Sequence, residues 1–529
     1  MSNELPRLPL DTSDFPTLRN EGYVYVDKTR QIHQMLVSAR YFFLSRPRRF
    51  GKSLTVSTLK HLFLGRRELF QGLWIGENDR WDWTPHPVVV LDFNLAPTAG
   101  SGDLNARLVE RLQYWAQQYE VSLAIDAPSS MLGDLIHALE AKYQQPVVIL
   151  VDEYDKPLID HLGKGEEGLR LALENRDTLK RLFGVLKADT IVDKLRLVFI
   201  TGVSRFSSVS IFSELNNLND LSMDKRYADL VGWTEEELRT NFPEHIAQLA
   251  GKLQQDEQST IEQLAWFYNG YRFTRAPVQV FNPYCLAQSL YRQSLDGFWF
   301  RSGTPSFLVR LLKEHDVPPL DLESVQADVA EFDTFDLENL NFKALLFQAG
   351  YLTIRDYQDD EYTLGFPNQE VRSGFYKQLL LSGGDNYLPL GQATVATGLR
   401  RRLDHEDLDG FIANVRSLFA AIPYQQGVQL REAHFHALFY MMLALSGMRV
   451  HCELLTSRGR IDLAVAFPDK VYCLELKCGQ SATDALAQID RQGYLDRYAG
   501  SGRKRIAIGI NFDFAMRNIC EWKHQVFCK

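Results

Sequence analysis

Cysteine is scarce in this chain: six in 529 residues, scattered and never in a paired Cys-x-x-Cys. That excludes a disulfide framework and makes a structural zinc a poor fit, and it points to a reducing compartment with buried free thiols. Long apolar runs are missing too. No stretch approaches the ~18 apolar residues of a membrane span, and the opening MSNELPRLPLDTSDF lacks the apolar core of a signal peptide. Positive charge is not in excess, since the formal net charge is -9. The chain as a whole therefore has no pull on nucleic acid, and any such site must be a local basic patch on an acidic body. Repeats, low-complexity tracts and a local Ser-His-Asp signature are absent as well. What remains is a cytoplasmic protein of ordinary composition, 45% hydrophobic and 24% charged, and too long for a single core.

What the chain does contain is clearest near its C-terminus, in Arg449 to Lys477, RVHCELLTSRGRIDLAVAFPDKVYCLELK. Turn residues at Ser457-Arg458-Gly459 and Pro468-Asp469-Lys470 divide it into three short strands. Strand side chains alternate faces, so Glu475 and Lys477 point one way and Leu474 and Leu476 the other. Pairing through the Pro468 turn brings Asp462 to them from the far end of the neighbouring strand. Two carboxylates and an ammonium at one sheet edge suit a hard divalent cation, Mg²⁺ or Mn²⁺, with a lysine to meet developing negative charge. The same residues would also serve as a solvated face with a cross-strand ion pair.

The surroundings favour a nuclease centre. An apolar helical run, Arg431 to Ser446, comes before the strands, while an amphipathic segment, Ala482 to Tyr498, and a strand, Arg505 to Phe512, come after them. Helix, three strands, helix, strand resembles the αβββαβ core of the PD-(D/E)xK nuclease superfamily over ~100 residues. The resemblance implies polar site residues at Glu432 on the leading helix and Gln488 on the trailing one. Arg458, Arg460, Arg491, Arg497, Arg503, Lys504 and Arg505 cluster around this region and could line a groove for a nucleic-acid backbone.

A second site is legible near the start. Tyr41 to Ser45 (YFFLS) has strand character, Leu54 to Leu64 is helical, and Arg46-Pro47-Arg48-Arg49-Phe50-Gly51-Lys52-Ser53 lies between them. Strand, loop ending in Gly-Lys-Ser, then helix is the frame of a phosphate-binding loop for ATP. Amides from Arg49 and Phe50 through Gly51 to Ser53 meet the phosphates, Lys52 reaches the terminal ones, and Ser53 ligates Mg²⁺. Arg46 stands where that pattern expects glycine, and Pro47 has no N–H. The three arginines add charge for phosphate or form a solvated turn.

Further along, Pro146 to Val151 (PVVILV) reads as a buried parallel strand ending in Asp152-Glu153. A carboxylate there can hold Mg²⁺, and the next can orient an attacking water. Two more strands, Pro87 to Phe93 and Leu195 to Val203, fit the same sheet, and Thr201, Ser204 or Arg205 at the tip of the second could sense a γ-phosphate. Arg205 could act as a finger in cis, whereas a finger between subunits would require a homo-oligomer.

Together, Gly22-Tyr23-Val24-Tyr25-Val26-Asp27-Lys28-Thr29, the arginine-rich loop, Val151-Asp152-Glu153-Tyr154-Asp155 and Thr201-Gly202-Val203-Ser204-Arg205 resemble the AAA-ATPase-like family. Members are prokaryotic, usually carry the arginine-rich start to the loop, and commonly end in a PD-(D/E)xK domain. The resemblance implies an α/β protein in three parts. Residues 1–225 would form a P-loop NTPase parallel sheet and 226–390 a mainly helical lid and connector, with a nuclease-like domain at 391–529. It implies ATP and Mg²⁺ as ligands, nucleic acid as partner and no membrane. Tyr268, Tyr271, Phe273, Trp299 and Phe300 in the middle could stack bases, although packing is the commoner use of aromatic side chains.

Overall fold

A computed structural model describes residues 5–527 apart from 78, 80, 96–100, 206–210, 213–214, 216, 303–318, 330, 332–340, 383–392, 421–431 and 457–458. Its contacts divide the chain into two units. One is built from the chain up to Phe298 and from Leu322 to Asn368, the other from 299–302, 319–321 and Gln369 onward.

The first unit is organised by β1 (Tyr41–Ser45), β2 (Val88–Asp92), β3 (Val147–Asp152), β4 (Leu195–Gly202) and β5 (Asn219–Asp220). All pair in parallel, in the order β2-β3-β4-β1-β5. Every residue of β1 and β3 is buried, which explains their unbroken apolar character. The order matters for function because β4 lies between β1 and β3. The tip of β4 therefore sits between the loop after β1 and the acids after β3. At the β2 edge, aromatic side chains take the free backbone groups. The Tyr119 hydroxyl accepts from the Val88 amide at 2.8 Å and donates to its carbonyl at 3.0 Å, and Trp115 donates to the Val90 carbonyl at 2.8 Å. Satisfying those groups blunts an edge open to another strand.

The middle is mainly helical. The span Thr234 to Gly251, which reads as one helix, is two: Glu235–Asn241 and Pro243–Leu253. Pro243 has no amide to continue the first helix, and it opens the second, where none is needed. The helices Glu257–Tyr268 and Pro283–Arg292 follow, and the run Pro305 to Glu314, whose sequence also reads as helical, lies outside the described residues. A small antiparallel sheet, not anticipated from sequence, contains β6 (Val325–Asp328), β7 (Thr353–Gln358) and β8 (Glu361–Gly365) in the order β6-β8-β7. Its strands are only four to six residues long, too short for their alternation to stand out in the sequence. Most residues of the middle through Asn368 cluster with the first unit, while 299–302, 319–321 and the helix Gln369–Ser382 belong to the second.

In the second unit a leading helix, Glu432–Leu445, precedes β9 (Arg449–Thr456), β10 (Gly459–Ala466) and β11 (Lys470–Cys478). A trailing helix, Ala482–Arg491, leads to β12 (Lys504–Asp513), and β13 (Asn518–Phe527) follows. The sheet order is β13-β12-β11-β10-β9, with only β11 and β12 parallel. The trailing helix lies directly on β12 because Gly509 has no side chain; a Cβ there would collide with the Ala482 carbonyl and come within 3.1 Å of Ala485. Cys473, Ile489, Tyr494, Leu495 and Ala507 form one core cluster on that face. Phe435 of the leading helix stacks on Phe512, centroids 5.0 Å apart. Phe512 pairs with Cys478, so it shares a face with Leu474 and Leu476. The two helices therefore cover opposite faces of the sheet.

Candidate active sites

The loop after β1 leads into the helix Lys52–Phe63 through Gly51, whose φ of 101° only glycine adopts at little cost. Arg49, at φ 66°, is exposed, with its guanidinium 3.8 Å from the centroid of the Tyr284 ring. The Phe50 side chain is buried against Tyr271 and Phe273, at 4.8 and 5.2 Å, so only its backbone is left for a ligand. Arg46 neither solvates a turn nor offers charge to phosphate. It is 2% exposed, donates to the Ser45 and Ser222 carbonyls at 2.9 and 2.6 Å, and lies 4.6 Å from the Phe273 centroid. Burial lowers its pKa to about 9. The side chain that replaces the expected glycine thus pins the loop to the body.

Lys52 is buried and donates to the Pro47 carbonyl at 3.1 Å, with Glu153 3.6 Å from its ammonium. Asp152 ends β3, and burial pushes its carboxyl up to about 6, opposed by a hydrogen bond with Ser53. Its Oδ1 is buried without a hydrogen-bond partner. Asp92, its register partner on β2, adds like charge. Glu153 sits at φ 52°, a left-handed conformation that costs energy for a side chain of this size. Thr201 spends its hydroxyl on the Leu44 carbonyl at 2.7 Å, and Ser204 is buried. Arg205 is ion-paired with Asp220 at 2.8 Å, so a finger role requires that pair to open.

At the other site, Leu463 pairs with Leu474, and Asp462 and Glu475 are the next residues along each antiparallel strand. The Asp462 Oδ2 accepts from the Leu476 amide at 2.9 Å, which fixes this carboxylate against β11. Glu475 is fully buried, and Lys477 donates to its Oε1 at 3.1 Å. Its Oε2 is buried with no partner. Burial first, and then the Asp462 charge, push the Glu475 carboxyl up to about 7, against the pull of Lys477. Asp462, Glu475 and Lys477 are therefore gathered as their alternation requires.

Family models match both regions. One, described as a predicted AAA-ATPase, covers residues 9–212, and another, the PD-(D/E)XK nuclease superfamily, covers 430–522. An uncharacterized protein in the vnfD 5' region of Azotobacter chroococcum mcd 1 is 36% identical over 527 residues, 97% of this chain and 98% of that protein. The chain belongs to the AAA-ATPase-like family and ends in a PD-(D/E)XK nuclease superfamily domain.

Not every expected residue of this AAA-ATPase-like protein joins the two centres. Glu432 opens the leading helix, and its side chain lies outside the described residues. Gln488 lies with Tyr494, to whose hydroxyl it makes a long 3.5 Å contact, so the structure gives it no bond to Lys477. Of the basic cluster, Lys504 is paired with Glu406 at 2.5 Å and Arg491 is exposed. Arg458 and the side chains of Arg460 and Arg497 lie outside the described residues. Tyr268, Tyr271, Phe273 and Trp299 are core residues, unavailable for stacking bases. Sequence reasoning missed Asn511, which stands opposite Lys477 on β12 and holds Gln480 by both backbone groups, at 2.7 and 3.3 Å. It also missed Asp155 and Gly202, although both lie inside stretches that carry the family resemblance.

Proposed function

We propose that this AAA-ATPase-like protein hydrolyses ATP in residues 1–225 and uses it to govern metal-dependent cleavage of a nucleic-acid backbone by residues 391–529, with 226–390 as lid and connector. The orphaned Glu475 Oε2 carries the cleavage reading. A buried carboxylate oxygen with nothing to bond is costly, and a hard cation beside Asp462 would satisfy it. Among the described residues no third His, Cys, Asp or Glu joins them, so the Leu476 carbonyl and water would complete the shell. When bound, Mg²⁺ (or Mn²⁺ in its place) supplies Lewis-acid polarisation at the scissile phosphate. Asp462 and Glu475 hold it, and Lys477, no longer needed to neutralise Glu475, meets the charge that builds on phosphorus. Glu432 and Gln488 would act only as outer polar groups.

In the first part, Lys52 and the amides from Arg49 to Ser53 receive the phosphates of ATP. Ser53 and Asp152 hold its Mg²⁺, for which the free Asp152 Oδ1 is suited, and Glu153 orients the attacking water. Arg205, released from Asp220, or an arginine of a second copy, stabilises the transferred phosphoryl group. Pairing an ATPase with a nuclease suits prokaryotic defence or mobile-element biology, by analogy. A second reading, a nucleotide-switched binder of nucleic acid or a partner that does not cut, is favoured by there being only two described carboxylates, one already paired with lysine.

A cleavage panel decides between them: labelled DNA and RNA, single- and double-stranded, with and without ATP and Mn²⁺. Metal-dependent cutting supports the first reading. Metal binding with no cutting of any substrate would leave the binder.

A further inference from the structure

Asp155 is fully buried, and its carboxylate makes no cap for the short helix that begins beside it. It reaches instead across to the tip of β4. Both oxygens lie within 3.2 Å of the Val203 amide, and Oδ2 accepts from the Ser204 amide at 2.6 Å. Burial raises its pKa, followed by repulsion from Glu153, while Lys52 and the two amides favour its charge. Burying a carboxylate is expensive, and two amide bonds with one lysine recover only part of that cost.

The contact also depends on Gly202. A Cβ at that position would overlap the Asp155 Oδ1 and stand 2.7 Å from a ring carbon of Tyr154. Tyr154 adds two more ties: its amide donates to the Thr201 carbonyl at 3.2 Å, and its hydroxyl donates to the Ser204 carbonyl at 2.8 Å. The residue these ties enclose is Glu153, in its left-handed conformation and 3.6 Å from Lys52. A strained backbone persists only where its surroundings over-determine it. The far side of the clamp continues outward, since the Arg205 amide donates to the Gln348 side chain, at 2.9 Å, on the helix Phe342–Gln348.

We propose that Asp155 is a positioning residue for ATP hydrolysis: by clamping the tip of β4 to the end of β3, it holds Glu153 at the angle from which it can orient water. The proposal rests on the ATPase reading above. It places Asp155 outside the set that touches nucleotide, so its loss must lower turnover and spare binding.

The test uses the full chain. Phosphate release gives kcat and KM for ATP, and a fluorescent ATP analogue gives affinity, for wild type, Asp155→Asn, Tyr154→Phe and Lys52→Ala. In Asp155→Asn, kcat is expected to fall by about tenfold or more with KM and analogue affinity within about threefold of wild type. Tyr154→Phe should lower kcat by a smaller factor, again without moving affinity. It decides the matter if Asp155→Asn melts below the assay temperature. Unchanged kcat in the folded variants, or affinity lost in step with turnover, overturns the positioning role. If wild type neither binds nor hydrolyses ATP, the ATPase reading itself has failed; Lys52→Ala supplies the baseline for that outcome.

Discussion

The two centres of this protein use one motif in two ways. Each places a buried carboxylate with an orphaned oxygen near a lysine, Asp152 with Lys52 and Glu475 with Lys477. At the second centre the lysine and carboxylate sit two apart on one strand and pair directly at 3.1 Å. At the first the carboxylate ends β3 and the lysine opens the helix Lys52–Phe63, 3.6 Å from the neighbouring acid, Glu153, which is held in a strained backbone. Alternation along β11 and its antiparallel pairing with β10, which brings Asp462, build the second centre. The first needs an ordered sheet, a pinned loop and a clamp from a third strand. A site made by local geometry survives small shifts of its surroundings, whereas one assembled from several strands depends on each of them.

The largest effect that would sharpen this contrast is Lys52→Ala. If Lys52 is the cation that meets the phosphates, its removal should lower ATP turnover by about a hundredfold or more, measured by phosphate release. Metal-dependent cutting without ATP should be untouched. Lys477→Ala is its mirror. Cleavage of a labelled strand should fall by about a hundredfold, with circular dichroism and ATP turnover retained. Should either variant silence both activities while folded, the two centres are not separable and the comparison breaks.

A smaller, pH-dependent effect follows from Glu475. A carboxyl raised to about 7 in the folded chain is favoured neutral there. Its contribution to stability is fully present below the ordinary value of 4.5 and is lost as pH rises from there to about 7. A cation must displace the proton, so Mn²⁺ affinity measured by calorimetry should climb up to about pH 7 and then level off. The metal-free protein should melt lower as pH rises through the same window. Glu475→Gln should abolish both trends. A Mn²⁺ affinity that stays flat with pH would show that Glu475 is not a ligand.

The smallest effect belongs to Gln488→Ala. Its side chain reaches the Tyr494 hydroxyl and not Lys477, so cleavage should change by about twofold or less. A large loss would return Gln488 to the centre.

Much of this was legible in the residues. Gly51, Lys52 and Ser53 between a strand and a helix, and Asp152 after an apolar strand, announce a phosphate site because each residue type has one efficient use there. Asp462, Glu475 and Lys477 follow from a period of two and one turn. Arg46 was not legible, because its role depends on the Ser222 carbonyl and the Phe273 ring, far away in sequence. The extra strand β13 was not either: only Ile519 is fully buried along it, so it shows no clean alternation.

By itself, then, the amino-acid sequence determined which side chains are candidates for chemistry, which strands are central, and that AAA-ATPase-like and PD-(D/E)XK nuclease superfamily domains share one chain. Tertiary structure alone decided that β4 lies between the loop and the acids, that Asp155 crosses to Val203 and Ser204, and that Gln488 rests with Tyr494. Periodicity and motif spacing are properties of neighbours along the chain. The burial of an orphaned oxygen, and the energy it costs, depend on what distant segments bring to it.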